Sequence, residues 1–190
     1  LARPAGIREL DDVYFKYFVD FDRLDVPDDI GALCVSRPTN PSGNVLTLEE
    51  LQRLDALARA RRVPFIIDAA YGLPFPGIQH EHLDSLWNPN VVLCLSLSKL
   101  GLPAARSGIV VADESVVEAL TAFNATAALA PPSTGPVIVE PLLRSGELAR
   151  LCRDHLRPHY AEHSAAAVQA LREACAGLPL RIHRPEGAFF

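Results

Sequence analysis

Short, uninterrupted apolar runs recur along the first 112 residues and are separated by polar loops or by an amphipathic segment. These runs lie at residues 32–36, 65–67, 91–95 and 109–112. Each run predicts a strand, and the continuous run at 32–36 is of the kind that is buried on both faces of a parallel sheet. Their alternation with helical patterns predicts an α/β fold with a mostly parallel sheet.

The clearest helix prediction begins at Thr47. Thr47 and Glu50 have the spacing of a capping box, in which a hydroxyl and a carboxylate satisfy free N–H groups of the first turn. Leucines at helical spacing follow directly. The same patterns predict a strand within 14–21, a loop over 22–29, a helix around 82–86, a helix beginning near 115 and a helical region over 137–176. Pro158 marks a kink or junction in the last of these.

Composition describes an ordinary globular protein and narrows its partners. The 190 residues are 49% hydrophobic and 22% charged, which is enough for a real core. The net charge of −5 and a single basic cluster at 59–62 argue against a nucleic-acid partner. Because no apolar run approaches the ~18 residues of a membrane span, we expect no membrane partner.

The cysteines and the chain ends add two expectations. The four cysteines have no metal-site spacing and lie mostly among apolar neighbours, which predicts reduced, buried thiols of a cytoplasmic protein. The chain contains no Met, begins at Leu1 and stops while an apolar run is developing. We therefore expect it to be a piece of a longer polypeptide.

A lysine loop between the last two apolar runs carries the most chemistry. Lys99 stands at the mouth of a predicted strand and shares its loop with Ser96, Ser98 and Arg106. A lysine amine can form a Schiff base with a carbonyl compound, and hydroxyls with a guanidinium suit a phosphate. Taken alone, a lysine after a strand is more often a solvated loop residue.

Two further polar residues lie at or just after the carboxyl ends of predicted strands, as Lys99 does. Asn40 comes after the run at 32–36, and Asp68 closes the run at 65–67. Ligands of parallel α/β sheets bind outside the carboxyl ends of the strands, so one crevice can collect Asn40, Asp68 and Lys99. A carboxylate at the end of an apolar strand also needs a cationic or donor partner.

Three motifs in order resemble one enzyme family. Asn40-Pro41-Ser42-Gly43, then Asp68-Ala69-Ala70-Tyr71, then Ser96-Leu97-Ser98-Lys99 with Arg106 seven residues on resemble the class I/II aminotransferases, which are fold-type I pyridoxal-phosphate enzymes. Each motif is weak alone, and their order makes the signal. The amino-acid sequences of three loops, at residues 36–44, 70–77 and 98–103, are most similar to those of the family's valine–pyruvate branch. The resemblance implies pyridoxal phosphate as cofactor and an amino acid and a 2-oxo acid as substrates.

The resemblance also implies roles for individual residues. Lys99 would hold the cofactor covalently and, once freed, move a proton between the substrate Cα and the cofactor. Asp68 would pair with the protonated pyridine nitrogen, and Tyr71 and Asn40 would contact the phenolic oxygen. Ser96, Ser98 and Arg106 would bind the phosphate, with Ser98 the least specific match. The segment 186–189 resembles the strand that enters the family's small domain, which is a structural role.

The resemblance further implies an architecture. We expect a mostly parallel sheet sandwiched by helices, the large domain of the fold-type I transferases, followed by the start of a small α+β domain. Residues 1–150 would be the C-terminal part of the large domain, and residues 151–190 an inter-domain helix and the beginning of the small domain. Parts of the family's site would lie before residue 1 and after residue 190, and the family implies a homodimer.

Other interpretations remain open at the level of sequence. The same lysine, aspartate and tyrosine serve other fold-type I enzymes, for example a C–S β-lyase. A non-catalytic, ligand-sensing domain of aminotransferase fold is a further alternative. His155, His159 and His163 would share a helical face, where a solvated stripe is favoured over a metal site.

Overall fold

The computed structural model describes residues 5–81 and 84–189, which form two sheets and five α-helices. The strands are β1 (Ala5–Glu9), β2 (Tyr14–Val19), β3 (Leu33–Ser36), β4 (Phe65–Asp68), β5 (Val91–Ser96), β6 (Gly108–Val111) and β7 (Ile182–His183). The helices are α1 (Leu48–Ala60), α2 (Glu114–Ala128), α3 (Thr134–Arg144), α4 (Glu147–Leu151) and α5 (Arg157–Ala174). Within the described ranges, no helix combines the length and apolarity needed to cross a bilayer.

The larger sheet contains the four apolar runs in the order β3-β4-β5-β6. The first three strands are parallel and β6 is antiparallel, which confirms the prediction of a mostly parallel sheet. The register places Ser36, Asp68 and Cys94 side by side near the carboxyl ends of their strands. The loops that follow these strands therefore leave the sheet at one edge.

Helix α1 packs on this sheet in the way its sequence predicts. Its capping box is present: the Thr47 hydroxyl accepts the Glu50 N–H at 3.2 Å, and the Glu50 carboxylate accepts the Thr47 N–H at 2.8 Å. The apolar face of the helix packs against the buried side chains of β4 and β5. The buried members of this cluster are Leu46, Leu51, Leu54, Ala58, Phe65, Ile67 and Val91. Each large apolar side chain so buried contributes about 1.5–3 kcal/mol of transfer free energy.

Strand β3 differs from the prediction of burial on both faces. Its side chains are only partly buried and Cys34 is exposed, because within the described residues β3 pairs with β4 alone. The prediction that the cysteines are buried is therefore wrong for Cys34. All four thiols are free, and only Cys152 is fully buried.

The C-terminal third is helical, as predicted, but is divided into three helices. Gly146, with φ of 74°, lies between α3 and α4. A π-helical turn, Cys152–Leu156, joins α4 to α5, and Pro158 lies in the first turn of α5, which confirms the predicted junction. The helix predicted around 82–86 falls partly on residues 82–83, outside the described residues, and residues 84–86 are not helical.

A smaller sheet joins the two ends of the chain. β2 lies between β1, its antiparallel partner, and β7, its parallel partner. β1 has no counterpart among the predicted elements, whereas β2 confirms the strand predicted within 14–21. The division of the chain at residue 150 stays a prediction.

Candidate active site

Lys99 lies immediately beyond the carboxyl end of β5. It occupies the 3-10 helix Ser98–Leu100, which ends at Gly101 in the left-handed region with φ of 84°. Its Nζ is 5.2 Å from the centroid of the Tyr71 ring and 5.6 Å from that of Phe189. No described residue offers this half-buried amine a hydrogen-bond acceptor or a carboxylate. The amine is therefore free of competing partners and can meet a carbonyl compound.

Tyr71 is buried and belongs to an aromatic cluster beside the Lys99 amine, in which Tyr160 is half-buried and Phe189 is 44% exposed. The Phe189 ring packs edge-on against Tyr71 with 5.2 Å between centroids, and Tyr160 contacts Phe189 at 5.3 Å. A tight turn places Tyr71, because the Gly72 N–H donates to the Ala69 carbonyl at 2.8 Å. These rings form an apolar wall on one side of the amine.

Phe189 was not among the predicted site residues. Sequence reasoning assigned the segment 186–189 a structural role, and the contact of Phe189 with Lys99 joins residues far apart in the chain. The one local signal was a large apolar residue two positions after a glycine in a segment with little other pattern. Such a signal identifies a packed residue but does not say what the residue packs against.

Asp68 places a carboxylate at the same edge of the sheet. It ends β4 and is half-buried, and its Oδ1 accepts the Ala70 N–H at 3.1 Å. Its second oxygen has no hydrogen-bond donor among the described residues. Partial desolvation by the neighbouring strand, and then the negative charge of Asp68, raise the pKa of the half-buried Cys94 thiol above its usual value. Because its Oδ2 has no donor among the described residues, the Asp68 carboxylate can accept one further N–H from a cationic group.

The predicted phosphate donors lie in one loop. The Ser96 hydroxyl accepts the Ser98 N–H at 3.2 Å, and Ser96 pairs with Gly108 across β5 and β6. Arg106 is exposed, adopts a left-handed conformation with φ of 46° and donates to the Pro103 carbonyl at 3.3 Å. A Cβ on Gly108 would approach the Leu95 carbonyl oxygen to 2.9 Å, so glycine permits this close pairing. The loop thus presents two hydroxyls and a guanidinium.

Asn40 lies at the same edge of the sheet, but its side chain contacts none of the other predicted site residues. The turn that carries it is closed by two hydrogen bonds, from the Thr39 N–H to the Asn44 carbonyl and from the Gly43 N–H to the Thr39 carbonyl, each 2.8 Å. The Asn40 side chain is exposed and makes no hydrogen bond to a described residue. Of the predicted set, the structure records a direct side-chain contact between Lys99 and Tyr71 only.

Comparison with known proteins decides the family. The family described as Aminotransferase class I and II matches residues 14–190. The chain belongs to this family.

The relatives of this aminotransferase chain are longer than the chain itself. The valine–pyruvate aminotransferase of Escherichia coli (strain K12) is 46% identical over 189 residues, which are 100% of this chain and 45% of that protein. The crystal structure of the valine–pyruvate aminotransferase AvtA from Salmonella typhimurium LT2 superposes with a TM-score of 0.91 at 42% identity, over 97% of this chain and 47% of that one. A double mutant of the Thermus thermophilus aspartate aminotransferase shares the fold, with a TM-score of 0.72, 20% identity, and coverage of 86% and 42%. The chain spans less than half the length of each.

Proposed function

We propose that the protein carrying this chain is a pyridoxal-phosphate-dependent aminotransferase that converts valine and pyruvate to 3-methyl-2-oxobutanoate and alanine. The observation that carries the proposal is the half-buried Lys99 amine, which lies beside Tyr71 at the carboxyl edge of the sheet without a competing acceptor among the described residues. The 46% identity to the E. coli valine–pyruvate aminotransferase supports the choice of substrates.

The donor set at this edge fits pyridoxal phosphate. The Lys99 amine suits its aldehyde, and the second oxygen of Asp68 suits its protonated ring nitrogen. The hydroxyls of Ser96 and Ser98 and the guanidinium of Arg106 suit its phosphate. Tyr71 and Asn40 are assigned to its phenolic oxygen from the motifs they occupy. Nothing in the described geometry places a competing ion pair on Lys99.

The residues of the chain then divide the work of transamination. When bound, pyridoxal phosphate supplies an aldehyde for amine exchange and a ring that takes up the electron pair of the Cα–H bond. The Lys99 amine would take the proton from the substrate Cα as general base and deliver it, as general acid, to the cofactor carbon that carried the aldehyde. The Asp68 carboxylate would pair with the protonated ring nitrogen, and the rings of Tyr71 and Phe189 line one side of the Lys99 Nζ.

Substitution of Lys99 in the full-length protein tests the proposal. We expect Lys99→Ala to lower kcat for valine and pyruvate by at least about 10³-fold, because both the covalent anchor and the base are lost. Lys99→Arg is the matched control for charge: its guanidinium stays protonated and should fail equally. Borohydride should fix the cofactor to Lys99 of the unsubstituted protein, as shown by peptide mapping. Retained turnover in Lys99→Ala would refute the assignment.

Analysis of the products formed by the unsubstituted full-length protein separates the alternatives. A C–S β-lyase would release ammonia and a 2-oxo acid from a thioether amino acid without needing pyruvate as amino acceptor. A ligand-sensing domain would bind the amino acid without turnover. Release of alanine with a 1:1 yield of 3-methyl-2-oxobutanoate distinguishes the proposed reaction from both.

We propose in addition a homodimer in the cytoplasm, with no nucleic-acid partner. The four free thiols support the compartment, and the net charge of −5 supports the absence of a nucleic-acid partner. The homodimer is proposed from the family alone. Sedimentation equilibrium of the full-length protein should give the mass of two chains, and fractionation should find the activity in the cytosolic fraction.

A further inference from the structure

Two oppositely charged side chains are buried together where the smaller sheet meets the loop after β3. Lys16, on β2, has its Nζ 2.5 Å from both carboxylate oxygens of Glu186 and 2.8 Å from the Val45 carbonyl oxygen. Glu186 also accepts the Val45 N–H at 2.8 Å. The side chains are only 8% and 7% exposed. The three ammonium protons thus meet three acceptors, and neither charge depends on solvent.

This ion pair lies at a junction of three segments that are distant in sequence. Val45 follows the turn that carries Asn40, and Glu186 immediately precedes Gly187. A Cβ on Gly43 would lie 2.8 Å from the Gly187 carbonyl oxygen, and one on Gly187 would lie 2.6 Å from the Ile78 carbonyl oxygen. The backbones are therefore in direct contact beside the ion pair, with no room for a side chain between them.

Backbone hydrogen bonds continue from the ion pair towards Lys99. The His80 N–H donates to the Glu186 carbonyl, and the Ala188 N–H donates to the Ile78 carbonyl, each at 2.8 Å. Ala188 is completely buried. Phe189 follows, and its ring is placed 5.6 Å from the Lys99 Nζ. The segment 186–189 therefore connects the buried carboxylate to the wall of the candidate active site.

A buried ion pair usually adds little to the free energy of unfolding. Removing two charges from water costs about as much free energy as their attraction returns, so apolar residues of similar volume are often as stable. What a charged pair adds is a fixed position, because each group tolerates only the geometry that satisfies the other. The observed pair satisfies both groups and fixes the segment that delivers Phe189.

We infer that Lys16 and Glu186 are positioning residues: their buried ion pair holds residues 187–189 against Tyr71 and Lys99 so that Phe189 closes one side of the site. This inference rests on the proposed function for its kinetic consequence. Its structural consequence, the fixed position of residues 186–189, is independent of the cofactor.

The test compares three variants of the full-length protein. Glu186→Gln removes one charge and leaves Lys16 buried without its partner, so we expect a lower Tm. The double variant Lys16→Met with Glu186→Leu leaves no unpaired charge and should recover part of the Tm, although the Val45 N–H and carbonyl then lose their buried side-chain partners. The matched control is the exposed ion pair Arg181–Glu9, at 2.7 Å, which also joins the two ends of the chain. Arg181→Gln should change neither stability nor kinetics.

Hydrogen exchange and kinetics supply the decisive readouts. In the double variant we expect the amides of His80 and Ala188, whose acceptors are backbone carbonyls that the variant keeps, to exchange at least about tenfold faster in the absence of cofactor. In the cofactor-loaded protein, we expect the rate constant of the valine half-reaction to fall by about tenfold or more, with borohydride trapping on Lys99 retained.

The outcomes are distinguishable. If the double variant recovers part of the Tm and also has the exchange and half-reaction rates of the unsubstituted protein, the pair is merely structural and the inference is wrong. If the unsubstituted protein binds no pyridoxal phosphate and transfers no amino group, the proposed function fails. In that case the exchange measurement alone decides whether the pair fixes residues 186–189.

Discussion

His183 is held neutral by its surroundings in the smaller sheet. Its ring stacks on Tyr17 with 5.1 Å between centroids, and its Nε2 lies 3.2 Å from the Asn44 Oδ1, which assigns the proton to Nε2. Its Nδ1 is buried with no hydrogen-bond partner among the described residues. Burial lowers the pKa of His183 below its usual value, and Lys16 lowers it further, while Glu186 opposes the shift.

Because the pKa of His183 is lowered in the folded state, the free energy of unfolding should decrease as the pH falls. Below about pH 6.5 the unfolded chain binds a proton at this histidine that the folded chain does not, so stability falls as the pH decreases from there. The loss stops once the pH is below the folded-state pKa. We expect His183→Phe, which keeps an aromatic ring against Tyr17, to flatten the pH dependence of the free energy of unfolding between about pH 7.5 and 5.

Urea unfolding at a series of pH values measures this effect. His159→Phe is the matched control, because His159 is exposed and its removal should leave the curve of the unsubstituted protein unchanged. Parallel curves for His183→Phe and the unsubstituted protein would show that the His183 proton is not linked to folding.

At the scale of the element, one carboxylate links helix α1 to the smaller sheet. Glu50 is buried, and its two oxygens accept different N–H groups at 2.8 Å, from Thr47 in the cap and from Val19 at the end of β2. The capping residue therefore also joins α1 to the smaller sheet. A capping box predicted from sequence identifies the first of these bonds but not the second.

We expect Glu50→Ala to destabilise the protein by about 2–4 kcal/mol. About 1 kcal/mol is the usual loss of a cap, and the rest is the cost of leaving the Val19 N–H unsatisfied in a part-buried place. Thr47→Ala should cost only about 1 kcal/mol. Glu49→Ala, on the exposed side of the same turn, should stay within about 0.5 kcal/mol of zero in chemical denaturation. Equal losses for Glu49→Ala and Glu50→Ala would contradict the assignment.

Elements and motifs were predictable from sequence where the signal is local. The apolar runs predicted β3 to β6 because each run holds at least three consecutive apolar residues between polar loops, and the capping box predicted the start of α1. The site motifs follow strand ends directly, so parallel pairing brings them to one edge. Phe189 and the Lys16–Glu186 pair were not predicted, because their contacts join residues up to 170 positions apart. No periodicity in the sequence encodes such a pairing.

At the scale of the whole molecule, the described surface retains apolar area of the kind that a protein normally covers. Helix α2 has no buried residue, and Phe123 on it is 72% exposed, with Val117 and Leu120 also exposed. Within the described residues, β3 and β6 are edge strands with one neighbour each. Exposed apolar faces and unpaired strand edges favour association. Relatives more than twice as long have further chain available to cover such surfaces.

We therefore expect the 190-residue chain, produced by itself, to associate as its concentration rises through the micromolar range and to bind a hydrophobic dye. Phe123→Glu should reduce both effects, because it places a charge in the middle of the exposed face of α2. Glu118→Gln on the same helix is the control, since it removes a charge without adding apolar area. Light scattering over a dilution series measures the association. In the full-length protein, Phe123→Glu should instead lower the Tm, because a covered face would then have to bury the new carboxylate. A 190-residue chain that stays monomeric and binds no dye would show that α2 needs no cover.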